Sequence, residues 1–526
     1  MKIEKSINKQ QKASNNLKLF IIDKYYISNI INIMNDKTIN ILKIFYYITS
    51  FIIGAVILIL ELLGTRIIAP YYGASIFVWA SLIGITLVSL AIGYFLGGFF
   101  ADKVNKPDLM FVFIFCGATW MLLIPYIAKP VVSMMDFLGL RLGTFFSSVI
   151  LFAIPLILFG TVSPFLVKLC AKDTSDIGIT AGNLYGISTL GSFLGAILTG
   201  FFLIPIIGIN LIINISGAIL ILIVIIWFIY IKNKKIILLI LLLFFIRFVA
   251  STTPQPETRG NILFEKDSHY GKIKVVDYNM KYRSIFIDGA LQSLYDIKNN
   301  EHFLNYISVM LQTVDIINKP ENILAIGLGG GSIDSKLKST GANVDNVEID
   351  PVIEYVARKY FNFNGNVIIA DGRQYIRKTQ KKYDIIFIDV FSGYSLCPYL
   401  FTKEAYFNIK SKLNDNGIIS INTVSYIEYD KNGNIVYNDL YDCIYETLKS
   451  VFKNVKMQAD EIGFTNIIYF ASDNDFDLGN KYINIKPVKK GKIFTDNYNP
   501  IEFLASGIME KWRNENVVRL GKDYQL

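Results

Sequence analysis

The chain has 526 residues, 52% of them hydrophobic, with a formal charge of +9 and a mean hydropathy of +0.41, which is too apolar for an ordinary soluble protein. Four scattered cysteines without a CxxC pair, and two histidines, argue against a disulfide framework and against any thiolate or histidine metal centre; no metal is expected. The lysines gather beside apolar runs, where they set membrane orientation, so the positive charge predicts no nucleic-acid partner.

Residues 1–43 form a basic tail with no cleavable signal pattern. A membrane bundle follows over 44–250, with apolar runs long enough to cross a bilayer near 44–64, 78–100, 109–128, 144–166, 180–205 and 209–231. A seventh run, 236–250, is shorter and carries Arg247. Lysines mark the tail, Lys103/Lys106, Lys168/Lys172 and Lys232/Lys234/Lys235, whereas the alternate loops hold only Arg66, Lys129 and Arg141, which predicts a cytoplasmic tail. Seven crossings would then leave 251–526 outside, while a nucleoside co-substrate is expected inside. The reading taken is a cytoplasmic domain with a seventh run that does not cross. Gly182, Gly186, Gly191, Gly195 and Gly200 share one segment, and the Gly191-xxx-Gly195 spacing predicts close helix packing. Glu61, with Arg66 five residues on, is the membrane candidate for function, as an anchoring ion pair or a transport group.

A polar, proline-bearing stretch at 251–260 opens a linker and small β module (251–321), in which 272–276 and 284–288 alternate like a hairpin closed by Asp288-Gly289. From 322 to 526, buried strands at 323–326, 344–349, 367–370, 383–389, 417–422, 454–458 and 466–471 alternate with amphipathic stretches. That pattern predicts an α/β, doubly wound, Rossmann-like parallel sheet behind the all-α transmembrane bundle, with ligands at the carboxyl ends of its strands.

The chemistry-bearing residues fall at those ends. Gly327, Gly329, Gly330 and Gly331 follow the first strand and lead into a helix near Ser332, allowing a tight turn and close ligand approach. Glu348, ending the second strand about 20 residues on, is placed for a ribose diol. Asp371-Gly372 ends the third strand, either to accept from an adenine amino group or to cap a turn. Asp389 ends the fourth, where it can serve as a general base, bind a cation or cap a helix. No phosphate-binding lysine follows the glycines, so a nucleoside fits better than a nucleoside triphosphate.

Together, Ile-Gly-Leu-Gly-Gly-Gly-Ser (326–332), Val-Glu-Ile-Asp (347–350), Ala-Asp-Gly-Arg (370–373), Asp-Val-Phe-Ser-Gly (389–393) and Thr-Asp-Asn-Tyr-Asn-Pro-Ile-Glu (495–502) resemble the spermidine synthase-like family over about 265–505, in its membrane-fused branch. The resemblance implies decarboxylated S-adenosylmethionine as co-substrate, putrescine as acceptor and spermidine with methylthioadenosine as products, in a multi-pass protein of the cell membrane, with a homodimer by analogy to the soluble enzymes. Carried over by position, Gly327–Gly331 hold the methionine-derived part, Glu348 the ribose, Asp371-Gly372 the adenine, and Asp389 takes the amine proton. Tyr270, Gln292 and Ser392 match weaker substrate-facing positions. Two family acids are missing, at Gly330 and Ser392, and the family's Tyr-His pair survives only as Tyr306 before Ile307. These departures keep two alternatives open: a methyltransferase using S-adenosylmethionine, and a non-catalytic sensing domain that gates the bundle. Gly-Gly-Phe-Phe-Ala-Asp-Lys (97–103), which resembles a major-facilitator loop, motivates the latter.

Overall fold

The computed structural model describes residues 36–520 apart from 74, 105, 172, 233–259, 279, 430 and 432–434. The expected seventh apolar run and the 251–259 linker lie outside the described residues. Among the described residues, six helices are long and apolar enough to cross a membrane: α1 (Asp36–Tyr72), α2 (Ile76–Val104), α3 (Pro107–Met135), α4 (Gly139–Cys170, with a π turn at Val149–Ala153), α5 (Thr174–Ile207) and α6 (Ile209–Tyr230). Their outward surfaces are apolar, with Phe95 80% and Ile179 70% exposed, as lipid-facing positions would be. α1 and α5 touch backbone to backbone. A Cβ on Gly191 would lie 2.0 Å from the Phe51 carbonyl oxygen, one on Gly195 2.8 Å from that of Ala55, and one on Gly54 2.1 Å from that of Ser188. The glycine packing expected from the sequence therefore holds for Gly191 and Gly195, whereas Gly182, Gly186 and Gly200 face open space.

Beyond the bundle, β1 (Asn261–Asp267), β2 (Lys272–Tyr278), β3 (Tyr282–Ile287), β4 (Ala290–Asp296) and β5 (Glu301–His302) form an antiparallel five-stranded sheet. The sequence reading gave only its central hairpin. The turn between β3 and β4 has positive φ at both Asp288 (45°) and Gly289 (75°), which suits the twist of a two-residue hairpin.

Two short helices, α7 (Asn305–Met310) and α8 (Gln312–Ile317), lead into the main sheet. Its strands are β6 (Asn322–Ile326), β7 (Asn343–Glu348), β8 (Asn366–Ile369), β9 (Tyr383–Ile388), β12 (Leu413–Tyr429), β14 (Asn454–Ala459), β15 (Gly463–Ser472) and β16 (Ile483–Ile485). A small hairpin, β10 (Phe391–Ser392) with β11 (Ser395–Leu396), lies after β9, and β13 (Ile435–Val436) pairs with β12. The spatial order is β16-β14-β15-β12-β9-β6-β7-β8. The pairs among β8, β7, β6, β9 and β12 are parallel, as expected, but β15 runs antiparallel to both β12 and β14. The three residues between β14 and β15 suffice for a hairpin and are too few for a crossover, so an all-parallel sheet is sterically ruled out.

Helices α9 (Ser332–Leu337), α10 (Pro351–Tyr360), α11 (Gly372–Lys378), α12 (Lys403–Lys410), α13 (Asp439–Lys449) and α14 (Ile501–Leu520) cover the sheet. Alternate residues of one strand enter different cores. Leu324 and Ile326 of β6 join one apolar cluster and Ile323 and Ala325 the other, which is why the strands read as unbroken apolar runs.

The domain docks on one end of the bundle. Ile209 N donates to Asp267 Oδ2 at 3.1 Å, Arg66 to the His269 carbonyl, and Arg513 Nη1 to the Tyr71 carbonyl at 2.7 Å. Arg141 Nη2 donates to Ser506 Oγ at 3.3 Å and lies 4.1 Å from the Phe503 ring. The lysine-bearing end is the opposite one. There Trp227 stacks near Phe45 and donates to Asp108, and Lys168 pairs with Asp102 at 3.0 Å. The described part of the domain thus sits at the end of the bundle that carries Arg66 and Arg141, away from Lys103 and Lys168.

Candidate functional site

The sheet order reverses between β6 and β9, because the chain continues from β6 to β7 and β8 on one side and returns through β9 to β12 on the other. Such a switch point opens a crevice at the strands' carboxyl ends. Gly327 and Asp389 flank it. A Cβ on Gly327 (φ +95°) would come 2.0 Å from the Asp389 carbonyl oxygen, so this glycine is required for the two strand ends to meet. Asp389 N donates to the Ile326 carbonyl at 2.9 Å, continuing the ladder to the edge of the crevice.

A cavity of about 640 Å³ occupies this place, within the usual range for a small-molecule site. It is lined by Gly327, Gly329, Glu348, Asp371, Gly372 and Asp389, by Gln292 and Tyr306, and by residues that the motifs did not point to: Asn422, Asn466, Tyr399, Asp460, Glu461, Trp512 and Asn516. Five of the lining residues are acids, and none is Lys or Arg. The walls therefore favour cationic ligands.

Asp389 sits in a chain of donors. Tyr306 donates its hydroxyl to Oδ2 at 2.8 Å, Asn422 Nδ2 donates to Oδ1 at 2.8 Å, and Asn466 Nδ2 donates to Asn422 Oδ1 at 2.8 Å. Burial pushes the Asp389 pKa up, and the bonds from Asn422 and Tyr306 pull it partly back. The Tyr306 pKa rises far above its usual value through burial and the adjacent carboxylate, so it stays a donor. A carboxylate offers about four acceptor sites, so Asp389 keeps room to accept from a substrate. A buried carboxyl with a raised pKa is the state that a general base near neutral pH requires.

Glu348 is fixed by three backbone N–H groups: Leu328 at 3.0 Å to Oε2, and Ile349 and Asp350 at 2.8 and 2.9 Å to Oε1. Burial raises its pKa against these bonds. It thus joins the glycine turn to the end of β7 and presents one unused acceptor position on the cavity. Asp371 caps α11, accepting from Gln374 N at 2.7 Å, and also lines the cavity. Asp350 caps α10 through Val352 N.

Gly330, where the resemblance expects an acid, has its N–H bonded to Ser293 Oγ at 2.8 Å. A Cβ there would lie 3.1 Å from Phe361 and 3.2 Å from His302. The space an acid would need holds aromatic rings. His302 is itself tied to Ser332 Oγ at 2.8 Å, and burial with Lys336 and Lys338 lowers its pKa to about 4. Gly331, with φ +81°, begins α9.

Of the weaker candidates, Gln292 lines the cavity, with its amide 3.4 Å from the Ala290 carbonyl oxygen. Tyr270 is exposed and does not line it, although burial and the carboxylates of Asp350, Asp371 and Glu348 raise its pKa. The Ser392 backbone pairs with Ser395, and its side chain lies outside the described residues. Glu61 and Arg66 form no ion pair with each other; Arg66 turns to the His269 carbonyl, so it anchors the domain. The 495–502 motif is a clamp: Asp496 accepts from Arg373 at 2.6 Å and Thr402 at 2.8 Å, and Asn499 donates to the Pro398 carbonyl at 2.6 Å. It holds the 397–402 segment, which supplies cavity residues Cys397, Tyr399 and Leu400.

A strand order of this kind, with an acid-walled crevice at its switch point, defines a Rossmann-like domain of the methyltransferase type. Residues 306–457 match the family described as "Spermine/spermidine synthase domain", and the chain carries that domain. It is 34% identical over 166 residues to a polyamine aminopropyltransferase of Vibrio vulnificus, covering 30% of this chain and 52% of the relative. It is 29% identical over 243 residues to an N-terminal histidine N-methyltransferase of Emericella nidulans, covering 40% and 42%. The chain thus spans about half the length of these two relatives. A probable spermidine synthase from Corynebacterium glutamicum aligns in structure with a TM-score of 0.38 and 16% identity, over 46% of this chain and 97% of that one.

Proposed function

We propose that the domain transfers an aminopropyl group from decarboxylated S-adenosylmethionine to an amine, with putrescine giving spermidine and methylthioadenosine. The amine lone pair attacks the propyl carbon bound to sulfur. The new C–N bond forms as the C–S bond breaks, and its electron pair stays on sulfur as a neutral thioether. The proton of the attacking nitrogen passes to Asp389, whose free acceptor positions face the cavity and whose orientation is held by Tyr306 and Asn422. Glu348 and Asp371 hold the nucleoside. The protein works from the cell membrane through its six apolar helices.

The observation that carries this reading is the cavity wall with five acids and no lysine or arginine. The decarboxylated donor and a diamine are both cationic, whereas the carboxylate of S-adenosylmethionine would meet no side-chain cation among the described lining residues. Asp460 and Glu461, on the turn between β14 and β15, supply acids on the acceptor side in place of those missing at Gly330 and Ser392. Full-length protein given the decarboxylated donor and putrescine is expected to release spermidine and methylthioadenosine in equal amounts, with Asp389→Asn losing both. Release of neither, by protein that still binds the nucleoside, refutes the reading.

Methyl transfer is the second reading. It is favoured by the aromatic filling beside Gly330 and by the histidine N-methyltransferase among the relatives. Offering both donors together and weighing the product decides between them, since the two groups add different masses.

A further inference from the structure

The chain leaves α6 at Tyr230 and enters β1 at Asn261, and these two points lie at opposite ends of the bundle. Trp227, in the last turn of α6, stacks near Phe45 at the start of the bundle, beside the lysine-bearing end. Asp267, at the end of β1, accepts from Ile209 N in the first turn of the same helix. With 22 residues at 1.5 Å each, these ends are about 33 Å apart, the thickness of a bilayer's hydrocarbon core. The last turn of α6 and the docked domain therefore lie at opposite faces of the bundle.

The lysines settle which face is which. Lys43, Lys103, Lys106, Lys168 and Lys232 all lie at the end away from the domain. Lysine and arginine concentrate on cytoplasmic loops. The domain-bearing end holds Arg66, Lys129 and Arg141, and both arginines there bond the domain itself. They are docking contacts, so they do not counter the orientation signal.

We propose that the catalytic domain stands on the extracytoplasmic face and that its acceptor is an amine of that compartment. The second clause rests on the transfer reading above; the first does not. The test uses the full-length protein in intact cells, with Met280→Cys on the domain, where the native side chain is 89% exposed, and Lys106→Cys on the opposite end. A membrane-impermeant maleimide is expected to label the first in intact cells to the level reached after permeabilisation, and the second at least tenfold less until permeabilisation. The wild type gives the background from Cys116, which is exposed on the bundle. Labelling of Met280→Cys only after permeabilisation overturns the proposal, whatever the activity. A C-terminal alkaline phosphatase fusion provides the second readout: high activity agrees, and low activity with full expression overturns it. Failure of amine transfer with the expected labelling would instead remove the acceptor assignment and leave the orientation standing.

Discussion

Replacing Tyr306 with Phe removes one hydroxyl and little else, because the ring remains in place on α7. In the native site that hydroxyl donates to Asp389 Oδ2 at 2.8 Å and stabilises the charged form, whereas burial favours the neutral form. A hydrogen bond to a charged group is worth about 1.5–3 kcal/mol, or about a ten- to hundredfold change in the ratio of carboxylate to acid. The sign follows directly. The Asp389 pKa, already raised, rises further in Tyr306→Phe, so the base is protonated over a wider acid range and activity appears only at higher pH. The assay is kcat/KM for methylthioadenosine release against pH, for wild type and variant with the same diamine. Protonation of the free amine is common to both and divides out of the ratio. The expected result is a loss of about ten- to hundredfold on the acid limb that shrinks as pH rises. A loss equal at all pH values, or an acid limb moved to lower pH, would refute the assignment of Asp389 as the base that Tyr306 tunes.

Three further outcomes are expected. Glu348→Gln sets an amide N–H₂ against one of the backbone donors at Leu328, Ile349 or Asp350, and calorimetry is expected to show at least a tenfold weaker nucleoside affinity with little change in diamine KM. Asp460→Asn with Glu461→Gln is expected to raise the diamine KM severalfold and leave nucleoside affinity unchanged, the reverse pattern. Asp288 is buried at the docking turn, where burial raises its pKa to about 6. Its folded value exceeds the unfolded one, so it opposes stability increasingly as pH rises from about 4 to 6 and by a constant amount above. Asp288→Asn, which tolerates the positive φ, is therefore expected to add up to about 3 kcal/mol at pH 7 and nothing near pH 4, read as thermal unfolding at the two pH values.

The central strands and the glycine-and-acid rim of the cavity were legible because buried parallel strands read as apolar runs and their carboxyl ends carry the glycines and acids. Asn422 left a readable trace too, a polar residue one place beyond Ile421, which pairs in parallel register with Ile388 just before Asp389. Recognising it needed the knowledge that β9 and β12 are neighbours. β4 was missed for a reason tied to function: Gln292 and Ser293 face the crevice and the glycine turn, which breaks the apolar alternation expected of a strand. The end of the bundle on which the domain sits was not legible, because counting apolar runs leaves a marginal seventh run undecided, whereas the contacts of Asp267 and Arg513 fix that end.

α14 shows why the bundle and the cavity belong to one chain. Trp512 meets Phe391 and Tyr394 edge-on, with centroids 5.5 and 5.1 Å away, and lines the cavity; Asn516, a turn later, donates to Tyr394 Oη at 3.3 Å and lines it too. Arg513, the next residue after Trp512, points the other way, to the Tyr71 carbonyl and the Tyr72 ring of α1. Arg141 of α4 reaches Ser506 and Phe503 on the same helix, and Pro70 of α1 leaves only the width of a glycine at Gly289, whose carbonyl accepts from Tyr394 at 2.8 Å. One wall of the cavity is thus a helix held between the reacting site and the end of the bundle. Trp512 and Arg513 are neighbours on that helix, so the contact with α1 and the cavity wall share one rigid element.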